Sequence, residues 1–374
     1  MGETATTSKK RRWLTVLFVA LNIAVIAWTA VREFRGGQGA GHISELTVRW
    51  QYLIPAALCM AGSLAAEIAK YMVIMKKTCG FVHPKLCAQT VLLGRYYDNI
   101  TPSGIGGQPF QIYYMKKNGI PAAQSASTPI AGFLSMQYAF IIIAILCAVF
   151  GGHFIGSDAV RIASYIGIVC YSLFPTVILF FTFFPAFSER LTLLITGLLA
   201  RLRIVKDRDE AEERFVGHVR GYCESLRGLI RHVSLLLAVL GLALVYQAAL
   251  MCVPFFVVRA FGGDVPFVQC FVTTVTIYAA ITFIPTPGNA GAAEGVFYAV
   301  FSSLSGGHVF WAMLVWRFII YYVYIVYGIL HYLVTHIRRK LYGDRRPAEE
   351  PGGADVPADA PEDRLSADCE GETS

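Results

Sequence analysis

Thr101-Pro102-Ser103-Gly104-Ile105-Gly106-Gly107 and Pro285-Thr286-Pro287-Gly288-Asn289-Ala290-Gly291 set helix-breaking residues inside otherwise apolar sequence of membrane-crossing length. In hydrocarbon, a backbone amide or carbonyl released from a helix costs several kcal/mol. Such a break therefore survives only where protein or a water-filled cavity satisfies it. Paired breaks at corresponding places in two halves of a chain mark binding sites in many transporters.

Outward from these breaks, composition sets the class. Hydrophobic residues make up 55% of the chain and charged residues 15%, which excludes an ordinary water-soluble domain. The formal net charge of +7 is not a nucleic-acid signal, because the basic residues cluster in short segments between apolar runs. Six runs read as full crossings: Trp13–Val31, Gln51–Met75, Ser125–Phe150, Ile162–Phe184, Leu229–Val258 and Val309–Thr335. The stretches Leu86–Met115 and Phe267–Leu304 carry the breaks. At 30 and 38 residues they are long for one span and short for two full spans with a loop. They read as broken or re-entrant hairpins. The expected fold is an all-α polytopic membrane protein with about six full transmembrane helices and two hairpins, or eight helices if a hairpin is two spans.

Lysine and arginine counting gives sidedness. With the N-terminus inside, 24 of the 32 basic side chains fall on the cytoplasmic side and 5 outside, while Lys70, Arg95 and Arg317 lie in apolar surroundings. Both termini are thus expected in the cytoplasm. The parity then makes residues 13–150, with hairpin 86–115, and residues 162–336, with hairpin 267–304, two units that start on opposite faces. That order is an inverted-topology repeat. Aligned directly, TPSGIGGQPF and TPGNAGAAEG share only Thr, Pro and one Gly in ten positions. The matching order of elements is the stronger argument.

Outside the repeats, residues 1–12 form a basic cytoplasmic N-terminus. Residues 188–231 alternate basic, acidic and apolar side chains, as an amphipathic linker at the headgroups or a solvated helix does. Residues 341–374 read as a disordered acidic tail. The opening Met-Gly-Glu-Thr-Ala-Thr resembles a myristoylation pattern, but the chain needs no further anchor. Ala27-Trp28-Thr29-Ala30 is a poor signal-peptidase site, so the first helix is expected to be retained. Nine cysteines without a CxxC pair and eight histidines without an HExxH cluster give no metal site. No Walker lysine, Gly-x-Ser-x-Gly elbow or cofactor fingerprint is present, and no cofactor is expected.

Polar residues at bilayer depth are few. Glu67 and Lys70, three apart in the second crossing, can pair on one helix face. Glu294 follows the second break, and Arg317 lies about nine residues, or ~13 Å of rise, inside the last crossing. An unpaired charge at that depth costs at least ~2.5 kcal/mol, so these two are expected to pair. Arg95, Asp98 and Asn99 lead into the first break, either deep or at the cytoplasmic interface where long side chains snorkel. Half-helices starting after Gly107 and Gly291 would turn free amides and positive dipole ends toward the midplane, a setting for phosphate. The same glycines equally permit close helix packing.

DNITPSGIGGQPFQIYYMKKNGIP from Asp98 and FIPTPGNAGAAEGVF from Phe283 resemble the two signature regions of the lysylphosphatidylglycerol synthase transmembrane, or flippase-like, family. The resemblance covers most of Trp13 to Lys340. Asn99, Pro102, Gly104, Gly106 and Gly107 match the first signature, with Gln108 and Gln111 where an acid and an arginine often stand. Pro285, Pro287, Gly288, Gly291 and Glu294 match the second. The resemblance implies a lipid-binding role for these residues and for Arg317, with the first hairpin a neutral polar cradle and Glu294 carrying more of the polar chemistry. It implies handling of an anionic, aminoacylated or polyprenyl phospholipid in a bacterial cytoplasmic membrane, by a lipid translocase or lipid-binding transporter. The alternative it implies is phosphatidylglycerol lysyltransferase, which uses lysyl-tRNA and contributes to resistance against cationic peptides. In full-length relatives a separate cytosolic domain performs that transfer. With 34 low-complexity residues after Lys340, such a domain is not expected in this sequence, whereas a separate partner synthase is compatible with it.

Overall fold

The computed structural model of the protein describes residues 47–101, 104, 106–155, 158–201, 208–281, 292–304 and 308–342. The first crossing expected at Trp13–Val31, together with Pro102, residues 282–291 and the tail beyond 342, lies outside the described residues. The helices are α1 (Trp50–Cys79), α2 (Pro84–Ile100), α3 (Gly107–Lys117), α4 (Ala122–Gly151), α5 (Asp158–Phe183) and α6 (Pro185–Arg201). They continue with α7 (Arg208–Arg231), α8 (Val233–Ala260), α9 (Phe267–Ile281), α10 (Ala292–Leu304), α11 (Val309–Arg317) and α12 (Val323–Tyr342), the last two joined by a π-helical turn at Phe318–Tyr322. By length and composition, α1, α4, α5, α8 and the α11–α12 rod are long and apolar enough to cross a membrane. α2–α3 and α9–α10 are the two pairs of shorter helices. Residues 1–328 form one compact unit and 329–374 a second, and the packing below belongs to the first.

Local chemistry explains where the elements stop. Gly80 takes the left-handed conformation, φ 77°, and returns its amide to the Lys76 carbonyl, while Lys76 and Lys77 offset the negative end of the α1 dipole. Pro84 then opens α2 at a position where its missing amide is harmless. By contrast, Pro55, Pro129, Pro175 and Pro254 lie inside α1, α4, α5 and α8 without ending them. Proline alone does not stop a membrane helix, because neighbouring groups re-satisfy the freed carbonyl. Proline combined with clustered glycine does. The linker folds as α6 and α7, and α8 begins at Val233 rather than at the expected Leu229. Leu229 instead faces inward from α7 with Leu226, against Ile74 and Val239. Apolar character alone cannot separate that inward face from the start of a crossing.

Helix pairing follows a similar pattern in the two halves of the described chain. The central α1 and α8 pack along much of their length and run antiparallel. Arg49, preceding α1, donates its amide to the Ala260 carbonyl at the end of α8 at 2.8 Å, and at the far end Ile74 clusters with Val239. Around them, α1 touches α2 and α4 as α8 touches α9 and α11. The contacts of α3 with α2 and α4 correspond to those of α10 with α9 and α11. Small residues allow the close approaches: a Cβ on Gly167 of α5 would collide with the Ala279 carbonyl of α9. Ile162, Ile166, Val169, Leu173 and Phe174 remain exposed along α5, an apolar face that suits lipid rather than water.

Candidate functional site

Two groups of buried charges occupy the region where the hairpins meet the long helices. In the first, α1 sets Glu67 and Lys70 one turn apart, with Lys70 Nζ 2.7 Å from Glu67 Oε2 and 3.0 Å from the Gly132 carbonyl of α4. Lys70 is fully buried. From α2, Arg95 Nη2 lies 3.5 Å from Glu67 Oε1, and Nη1 lies 4.0 Å from Asp98 Oδ2. The guanidinium sits 5.1 Å from the centre of the Tyr246 ring of α8, which Lys70 Nζ approaches to 6.0 Å. Two acids and two bases of α1 and α2 thus form one network, with Tyr246 of α8 beside it. The side chains of Arg95 and Asp98 are sheltered by protein, at 19% and 17% exposed.

The first break has its own hydrogen-bond economy. Gly104, at φ 63°, gives its amide to the Thr101 carbonyl at 3.2 Å. Thr101 Oγ1 donates to the Tyr97 carbonyl at 2.7 Å and accepts the Gly106 amide at 2.9 Å. The Gly107 amide, first in α3, is taken by Asp98 Oδ1 at 2.8 Å. A Cβ on Gly107 would strike that carboxylate. Two expectations change. The amides of Gly106 and Gly107 are not free for an outside anion, because the chain supplies its own acceptors. Nor is the first hairpin a neutral cradle: Asp98 brings the acid to the break from nine residues upstream. Gln111 is buried, accepting from the Tyr71 hydroxyl at 2.9 Å and donating to the Thr90 carbonyl at 3.3 Å, whereas Gln108 is half-buried.

The second group is smaller. Glu294, in the first turn of α10, places Oε1 2.6 Å from Arg317 Nε at the end of α11, and both residues are buried. The guanidinium lies 5.1 Å from the Trp316 ring and 5.3 Å from that of Tyr321, and Trp316 stacks on Phe297 with centroids 4.5 Å apart. Pro285, Pro287, Gly288 and Gly291 of the expected site lie outside the described residues.

Asn99 joins the two groups. Its Nδ2 donates to the Tyr321 carbonyl at 3.3 Å, and the Tyr321 hydroxyl returns a bond to the Asn99 carbonyl at 3.1 Å. The latch therefore ties the end of α2 to the π-helical turn that follows Arg317. Tyr246 and Tyr321 escape a reading of sequence, since Tyr246 meets Arg95, and Tyr321 meets Asn99, across more than a hundred residues. The one visible signal is a tyrosine in an otherwise apolar crossing, such as Tyr246-Gln247 in α8. Among the described residues, no three His, Cys, Asp or Glu side chains are grouped to hold a metal ion.

No curated protein matches the chain. The family model described as lysylphosphatidylglycerol synthase TM region matches residues 12–328, an interval that contains both hairpins, both charge groups and the latch between them. A family match over that extent, on a helical scaffold with five membrane-length spans among its described residues, establishes a multi-pass membrane protein with a lipid-related role; the chain belongs to the lysylphosphatidylglycerol synthase transmembrane family.

Proposed function

We propose that the chain is a lipid translocase, or lipid-binding transporter, for an anionic, aminoacylated or polyprenyl phospholipid of a bacterial cytoplasmic membrane, with both termini cytoplasmic. The observation that carries this reading is the pair of fully compensated ionic groups, Glu67–Lys70–Arg95–Asp98 and Glu294–Arg317, at the broken hairpins. Intramembrane ionisable groups are costly and mark transport pathways by default. Because Asp98 and Thr101 already hold the amides at the first break, the headgroup phosphate is met by cations rather than by backbone. Lys70, Arg95 and Arg317 are the cations that meet a phosphate oxygen, and the carboxylate that gives up its cation in the exchange takes up a proton rather than stay buried and unpaired. Alternating exposure then follows from rocking of the two repeat units about the α1–α8 pair.

The test is movement of labelled lipids in proteoliposomes, with Glu294→Gln and Gly107→Leu beside the wild type. Wild-type protein is expected to speed exchange of at least one anionic lipid over empty vesicles, and both variants to slow it. Equal rates for vesicles with and without protein across phosphatidylglycerol, its lysyl ester and a polyprenyl phosphate would sink the reading. So would variants as active as the wild type. Lipid aminoacylation by the pure chain, supplied with charged tRNA and phosphatidylglycerol, would replace it with the transferase.

A further inference from the structure

Away from the charged region, a cavity of about 310 Å³ lies among α1, α4, α5, α7 and α8, and its walls include Ile74, Leu134, Leu179, Leu226, Leu229 and Val239. That volume is at the lower end of small-molecule sites, ~300–1,000 Å³. The polar residues in the wall are Ser135 and Tyr138, and the Ser135 hydroxyl is already bonded to the Gly132 carbonyl at 2.8 Å. A hydrated or strongly polar ligand finds little to hold there, and an apolar cavity takes up apolar molecules in preference to water. Phe183 of α5 and Leu236 of α8 line it and are themselves exposed, so it opens sideways toward lipid.

Basic residues stand close in sequence to the cavity's lining residues. Ile74 is followed within a turn by Lys76 and Lys77, Leu235 is preceded by Arg231, and Arg227 lies between the lining residues Leu226 and Leu229. Arg220 is committed to Glu189 at 2.9 Å, half-buried Arg227 is bonded to the Cys223 side chain while its Nε has no acceptor, and Arg231 is exposed. Apolar walls beneath cationic side chains are complementary to one amphiphile: a fatty chain with a negative head. We propose that this cavity is a second lipid site, which seats one acyl chain of an anionic phospholipid with its phosphate at Arg227 and Arg231. It is distinct from the Glu294–Arg317 region and does not depend on translocation. Its occupancy fixes α7, the amphipathic helix between the two repeats, against the membrane part.

Photolabelling tests it on the full chain in nanodiscs, using phosphatidylglycerol and phosphatidylcholine that carry the same diazirine-tagged acyl chain, with labelled peptides mapped by mass spectrometry. Label is expected on residues 131–142 and 226–240, more strongly from phosphatidylglycerol. Ala131→Trp, which fills the cavity, is expected to remove most of it; Leu240→Trp, from another wall, serves if that variant does not fold. Arg227→Gln with Arg231→Gln is expected to lower the preference for phosphatidylglycerol by about fivefold per charge removed. Glu294→Gln, which tests translocation, is expected to leave this labelling intact. Label spread equally over the lipid-facing side of α5, or unchanged by the filling variants, overturns the site. Loss of label in Glu294→Gln overturns its independence.

Discussion

The two ionic groups solve the same problem with different redundancy. In the first, Glu67 has two cationic neighbours and Arg95 two carboxylates, so Glu67 and Arg95 each keep an ionic partner when one of theirs is lost, whereas Lys70 rests on Glu67 and Asp98 on Arg95. In the second, Glu294 meets Arg317 at a short contact beside an aromatic shelf of Trp316 and Phe297. A network distributes the cost of desolvation, whereas a pair concentrates it. The first group thereby suits a fixed hub that joins α1, α2 and α8, and the second a contact that is made and broken during a cycle.

The largest effect is expected at the short buried contact between α10 and α11. Arg317→Leu strands Glu294 in a buried place and is expected to cost about 3–5 kcal/mol, seen as a fall in thermal stability in detergent. Combining it with Glu294→Leu is expected to restore stability but not lipid movement; full rescue of both would make the pair purely structural. Lys70→Met comes next, at roughly 1–3 kcal/mol, because Arg95 still faces Glu67. If that variant proves as damaging as Arg317→Leu, the contrast between network and pair is wrong. Asp98→Asn weakens a charge-assisted bond to the Gly107 amide, with about 1–2 kcal/mol expected. Hydrogen exchange at the start of α3 reads this loss locally. Smallest is Tyr321→Phe, which removes one bond of the latch, about 1 kcal/mol. Its diagnostic is coupling: double-mutant cycles between Asp98→Asn and Arg317→Leu are expected to lose their interaction energy in the Tyr321→Phe background.

What could be read from the sequence was periodic or additive. The five spans follow from apolar length, the hairpins from proline and glycine together, and the spacing of Glu67 and Lys70 from helix geometry. Asp98 shows the boundary of such reading. Its residue type and depth are visible in sequence, yet its role depends on the chain folding back so that Gly107, nine residues later, presents an amide to it. No local rule sets that return angle. Tyr321 and Asn99 are separated by 222 positions, and their meeting depends on how the first hairpin packs against the α11–α12 rod. Leu229 failed for the opposite reason: its apolarity was plain, but a residue facing inward from an amphipathic linker and one opening a crossing carry the same hydrophobic signal.

The wide turn at Phe318–Tyr322 has one more consequence. It holds an extra residue within a helix that is otherwise regular on both sides, and such an insertion can migrate along a helix by exchanging one hydrogen bond at a time. Each step of migration rephases the segment it passes by ~100°, the angle between successive residues at 3.6 per turn. Arg317 stands immediately before the insertion and the Asn99 latch grips its Tyr321. A one-residue advance of the wide turn would therefore turn the side chains it passes, Arg317 and Tyr321 among them, away from their present neighbours.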